Sequence, residues 1–221
     1  MWLAFAAACS ALSAADRIDL LRLAGANIGS WKPAAWEIRA VRGQRAPDAT
    51  VRDSNGVRFV RFEGTARAAF FAHNFTQPIA ADRALLTISW RVPLAPRGAD
   101  MRVESSDDSP LRIFVVFQTA GLFRRIPRTL FYSSGVREPQ SYSARGSASA
   151  DLHVVRITEG GNAQDWSTIS VEPAADYARV WGGAVPCVLA IGVMQDTDQT
   201  RSTAVADLRQ LSWRSRDVPI R

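Results

Sequence analysis

Two short acidic runs have the residue types and spacing to do chemistry. Ser105-Ser106-Asp107-Asp108 precedes the apolar run Leu111–Phe117. Asp196-Thr197-Asp198-Gln199-Thr200 follows a second apolar run that ends near Met194. Asp-x-Asp puts two carboxylates on one side of a loop, and such hard oxygen donors suit calcium, which takes about six to eight oxygens. Asp107, Asp108, Asp196 and Asp198 are therefore the candidate metal ligands. The pattern is not an EF-hand: Arg201 stands where that loop needs glycine, and Asp207 where it closes with glutamate. The same carboxylates, with Glu172 and Asp176, are candidates for glycoside hydrolysis, which uses two carboxyl groups about 5–10 Å apart. A plainer role competes with both. Aspartate before a strand caps turns, Asp-x-Asp makes Asx-turns, and Arg112 stands close enough to pair with Asp107 or Asp108.

Aromatic side chains supply a second kind of candidate. Of seven tryptophans, Trp31 and Trp166 adjoin turn-like polar or glycine-rich sequence. Their flat apolar faces could stack on sugar rings, whereas the other tryptophans read as core. Arg112 joins Trp31 and Trp166 as a candidate ligand contact. Nucleophilic chemistry finds little support. Cys187 lies in an apolar run and reads as a small buried hydrophobe, and His73 and His153 have no metal-ligand spacing. There is no Gly-x-Ser-x-Gly elbow, phosphate loop, His-Glu-x-x-His or dinucleotide fingerprint.

Such loops need a scaffold, and the chain supplies one. It has 221 residues, 47% hydrophobic and 22% charged, the balance of a single globular domain. Lys plus Arg is 27 against 21 Asp plus Glu, a net charge of +6, and Lys32 is the one lysine. The arginines are scattered, with the densest group at Arg124, Arg125 and Arg128, so no nucleic-acid footprint is expected. Residues 1–15 are apolar or small and end Ser13-Ala14-Ala15, which predicts a cleaved signal peptide and a mature domain over 16–221. No positive charge precedes the stretch, so the true start codon is open. Lipidation at Cys9 is the weaker alternative. The mature chain would then keep Cys187 alone, without a disulfide, and no transmembrane segment. The predicted location is periplasmic or secreted.

The elements read as strands. Asn55-Gly56 predicts a hairpin joining Thr50–Asp53 to Val57–Glu63. Arg67–Ala72 is a further short strand. Leu86, Ile88, Trp90 and Val92 alternate with polar residues, as a half-buried strand does. Ile113–Phe117 and Val188–Met194 lack alternation and predict central strands covered on both faces. Were these two antiparallel neighbours, both acidic loops would share one rim of one sheet. Leu130–Tyr132 and Asp207–Trp213 are further strands, and Leu152–Thr158 with Trp166–Val171 reads as a hairpin around Gly160-Gly161-Asn162. A short helix is expected over Arg17–Leu23. A second, Pro173–Trp181, has proline at its start and glycine after its end. About ten strands with one or two short helices make an all-β, antiparallel β-sandwich of jelly-roll type.

Trp90-Arg91-Val92, Gly98-Ala99-Asp100 and Asp107-Asp108-Ser109-Pro110-Leu111-Arg112-Ile113-Phe114-Val115-Val116-Phe117 resemble the bacterial domain of unknown function 3047. Asp165-Trp166, Asp176-Tyr177, Trp181-Gly182 and Met194-Gln195-Asp196-Thr197-Asp198-Gln199-Thr200 continue the same order, and the resemblance spans about residues 30–214. The chain departs from the family at Ile88, where members often carry tryptophan, and at Val205-Ala206-Asp207, which lacks an expected tyrosine and glycine. The resemblance implies a secreted or periplasmic β-sandwich with no established activity. The leading expectation is a non-catalytic exported module binding a glycan or other envelope component. A carbohydrate-active hydrolase and a purely structural envelope protein are the alternatives.

Overall fold

A computed structural model describes residues 17–101, 103–118, 127–134, 141–143, 151–158 and 162–215. The expected signal peptide and most of the Arg124–Arg128 cluster lie outside the described residues. The elements are β1 (Arg17–Asp19), β2 (Gly29–Ser30), β3 (Trp36–Ala40), β4 (Asp48–Ser54), β5 (Val57–Thr65), β6 (Ala68–Ile79), β7 (Ala84–Leu94), β8 (Ser109–Phe117), β9 (Thr129–Ser133), β10 (Ser141–Ser143), β11 (Leu152–Arg156), β12 (Ala163–Val171), α1 (Pro173–Trp181), β13 (Val188–Asp196) and β14 (Thr203–Ser215). They form a jelly-roll β-sandwich of two seven-stranded sheets. One sheet runs β12-β7-β14-β5-β4-β2, with β1 on β14, and the other β10-β11-β9-β8-β13-β6-β3. No helix among the described residues is long and apolar enough to cross a membrane.

Local chemistry explains the elements. Asn55 (φ 55°) and Gly56 (φ 78°) both take the left-handed conformation, closing the β4–β5 hairpin with Ser54 opposite Val57. β8 and β13 pair antiparallel at the centre of their sheet, as their unbroken apolar runs predict. Ile113, Val115, Phe117, Ile191 and Val193 face the core between the sheets, against Phe62, Leu86 and Trp90. The intervening residues Phe114 and Met194 pack with Met101, Phe131 and Val154 in a second cluster on the outer face. Proline begins α1 and Gly182 (φ 69°) ends it. Its Tyr177 is buried against Phe117, ring centroids 4.7 Å apart, and so plugs the sandwich.

Three expectations need correction. Arg17–Leu23 is not a helix: Arg17–Asp19 pairs with Arg214–Ser212, because ladder bonds to β14 outweigh a short isolated helix. Leu152–Thr158 and Trp166–Val171 do not form a hairpin. β11 pairs parallel with β9, while β12 pairs with β7 in the opposite sheet, so the connection crosses the sandwich. Cys187 is buried and disulfide-bonded, so it is not the unpaired thiol expected.

Candidate functional site

The outer face of the β8–β13 sheet combines two features, an acidic end and an aromatic floor. The acidic end arises from register. Asp196 closes β13 opposite Ser109 at the start of β8, so the two acidic loops meet at one rim. Along β13, Met194 and Asp196 share the outer face. Gln195 between them points inward, donating to the Phe62 carbonyl at 3.2 Å and the Pro110 carbonyl at 3.0 Å. A bulge in β8 at Pro110–Leu111 absorbs one residue, at a place where proline loses no ladder bond. Thr197 fixes the next turn: its backbone N–H donates to the Arg67 carbonyl at 2.9 Å, and its hydroxyl bonds both Arg67 backbone groups at 2.9 Å.

This framework brings together Asp108, Asp196 and Asp198, with one carboxylate oxygen of each within 4.8 Å of the others. Asp108 is fully buried and well bonded. It accepts from the Gln199 N–H at 3.2 Å, the Thr200 N–H at 2.9 Å and the Thr200 hydroxyl. Asp196 is 6% exposed, and its Oδ1, like Asp198 Oδ1, is buried without a hydrogen-bond partner. Burial pushes the Asp196 carboxyl up to about 8; Arg112 opposes the rise, and the neighbouring Asp198 and Asp108 add to it. Asp107 stands apart from this trio. It accepts a 2.8 Å bond from Arg112 Nη2, whose second bond goes to the Asp107 carbonyl at 3.2 Å. The sequence candidates thus divide into a trio of carboxylates and an Asp107–Arg112 ion pair.

The aromatic floor was missed in the sequence. Phe70, Ala72, Phe114, Val116, Leu189 and Ala190 line a groove of about 410 Å³, with Glu37, Arg39 and Asn74 along its edge. A bulge at Leu189 turns both Leu189 and Ala190 to this side. Phe114 lies over Gly192, where a Cβ would come within 2.3 Å of its Cζ. Phe70 and Phe131 hold the Phe114 ring edge-on and tilted, at centroid distances of 5.8 and 5.9 Å. At the edge, Glu37 takes 2.9 Å and 3.2 Å bonds from Arg39 and Asn74, and the Arg39 bond holds its carboxyl below the usual range. The signal in the sequence was Phe70 and Phe114 standing out of phase with the core residues of their strands.

The aromatic candidates fare differently. Trp31 is not a surface platform: it is 4% exposed, edge-on to Trp36 at 4.7 Å and to Phe62 at 5.8 Å. Its backbone N–H donates to the Ala49 carbonyl at 2.8 Å, and the side chain enters the core. Trp166 is half-buried on the opposite sheet, with the Arg91 and Arg209 guanidinium carbons each 4.7 Å from its ring. These cations already occupy the surroundings of the indole. Beneath them Asp207, fully buried, takes 2.7 Å bonds from Arg61 Nε and Arg91 Nε. Removing one partner of such a group leaves the others uncompensated. Asp207→Ala is therefore expected to cost about 3 kcal/mol, the low end for a buried pair, because Arg61 and Arg91 keep 21% and 22% of their side chains in water. Urea unfolding checks this, and a loss under about 1 kcal/mol contradicts it.

A family model described as protein of unknown function (DUF3047) matches residues 34–212. No curated protein matches the chain. Among solved structures, the xyloglucanase domain of NopAA from Sinorhizobium fredii, in complex with cellobiose, has TM-score 0.47 and 12% identity, covering 86% of this chain and 99% of its own. The family 11 carbohydrate-binding module of cellulase Lic26A-Cel5E from Clostridium thermocellum has TM-score 0.46 and 8% identity, covering 92% and 96%. Trichoderma harzianum endoglucanase 3, family GH12, has TM-score 0.46 and 11% identity, covering 85% and 92%. At these scores the likeness assigns no activity and no residue.

Proposed function

Since the chain belongs to the DUF3047 family, whose description names no activity, we propose from the geometry of the outer groove that it is an exported, non-catalytic module binding a neutral glycan. The groove carries this reading. Sugar rings present apolar C–H faces to aromatic surfaces and hydroxyls to polar edges. Phe70, half-buried beside the buried Phe114, supplies the first surface, and Glu37, Arg39 and Asn74 the second. Glu37 and Arg39 neutralise each other at 2.9 Å, so the edge offers hydrogen bonds without net charge. Export is supported by the Cys187 disulfide, a bond that persists in oxidising compartments.

The groove is less suited to two-carboxylate hydrolysis. Glu37 is the one carboxylate among its described lining residues, and its bonds from Arg39 and Asn74 favour the ionised form over a proton donor. The rim trio is closer together than glycosidase pairs, within 4.8 Å against about 5–10 Å, and Asp196 is buried away from substrate.

Affinity electrophoresis and calorimetry with neutral hexasaccharides of glucose, xylose and N-acetylglucosamine test the proposal. Binding of at least one, weakened about tenfold or more by Phe70→Ala and by Glu37→Gln, is the expected result. Release of reducing sugar, abolished by Glu37→Gln, would move the hydrolase reading to the front. Absence of binding to all three would favour the structural-protein reading.

A further inference from the structure

The geometry points to a divalent-cation site, of calcium type, formed by Asp108, Asp196 and Asp198 where β13 and β8 meet. The inference does not depend on the glycan reading. The trio alone would be an acidic cluster of the kind common without an ion. The buried Asp196 side chain is the further observation: it is 6% exposed, its Oδ1 accepts from no donor, and the group it meets is the Asp198 carboxylate, another acceptor, so a cation or a shared proton must lie between them. A buried acceptor normally finds a donor, so a group left without one implies a partner of another kind. Asp198 Oδ1 is in the same condition.

The charges agree. Arg112 is the nearby cation; its Nη2 is also bonded to Asp107 Oδ1 at 2.8 Å, so one guanidinium serves the trio and Asp107 together. Asp108 has used three of about four lone-pair sites on Gln199 and Thr200, leaving one for a metal. Asp196 and Asp198 each offer a free oxygen, and Asp198 is only half-buried, so water can complete the shell. All donors are hard oxygens in an irregular arrangement. This suits calcium, with its flexible coordination, better than magnesium, which demands an octahedron and keeps its waters. The ion would join the loop entering β8 to the loop leaving β13.

The test uses the full chain without any glycan, so its outcome is separate from that of the groove. Protein stripped with EDTA is titrated with calcium chloride, and separately with magnesium chloride, by calorimetry and thermal unfolding. The expected result is one calcium per chain, with Tm raised by about 5–10 °C at some hundredfold above Kd. Asp196→Asn and Asp198→Asn should each abolish the rise, while Asp107→Asn should retain it. Asp198→Asn is the safer variant for folding, because that side chain is half-buried. No heat and no shift with either ion at millimolar concentration would overturn the site. So would an undiminished response in both Asp196→Asn and Asp198→Asn.

Discussion

Gly192→Ala should destabilise the protein by about 3 kcal/mol or more, the upper end of what overpacking a core costs. Gly192 lies mid-β13, paired to Phe114 of β8 and Ala72 of β6. Its backbone is ordinary strand, so space excludes a side chain here. A Cβ would stand 2.2 Å from the Phe71 carbonyl oxygen and 2.3 Å from Phe114 Cζ. The ring could swing away, at the expense of its contacts with Phe70 and Phe131. The carbonyl belongs to the central ladder and could move only by breaking the pairing of β6 with β13. Phe114→Ala in the same chain should therefore recover only part of the loss. Urea unfolding followed by tryptophan fluorescence measures both variants. A cost under 1 kcal/mol for Gly192→Ala would mean that this floor is not rigid.

In EDTA, stability should fall as pH rises from about 4 to 8 through the Asp196 carboxyl. Its folded carboxyl is pushed up to about 8, from an ordinary 3.8, chiefly by burial. In that window the folded chain holds a proton that the unfolded chain has released. The unfolded state then binds fewer protons, so the slope is negative. Arg112 of β8 moderates the effect, and Asp198 and Asp108 in the adjoining loops strengthen it. His73 and His153 act in the opposite sense: burial lowers both below 6.5, so their contribution is lost as pH falls below that value. Asp196→Asn isolates the carboxyl. The difference in stability between wild type and this variant should grow in the variant's favour from pH 5 to pH 8.5. An unchanged difference would show that Asp196 ionises freely in the folded protein.

Much of the fold was determined by local pattern. The Asn55-Gly56 hairpin, the alternating strand around Trp90, the unbroken runs at Ile113–Phe117 and Val188–Met194, and the proline-to-glycine bounds of α1 all follow from backbone preference and period. These are properties of neighbours in sequence. Leu152–Val171 misled for the same reason: a glycine turn between two strand-like runs reads as a hairpin, and only sheet packing sends β11 and β12 to opposite layers. Trp31 misled because a turn-like flank says nothing about which way its side chain points.

The candidate site divides along the same line. Residue type and spacing in the sequence singled out Asp107, Asp108, Asp196 and Asp198. Nothing local could tell that Arg112 draws Asp107 away while Asp108 turns toward Gln199 and Thr200, because those bonds span 5 and about 90 residues respectively. The groove was less visible still. It exists because register across β3, β6, β8 and β13 lays Phe70 beside Phe114 and leaves Gly192 beneath the ring. Composition and period determined that there would be two apolar sheets with acidic loops at their ends. Long-range pairing decided which carboxylates face one another, since burial and register are set by strands distant in the chain.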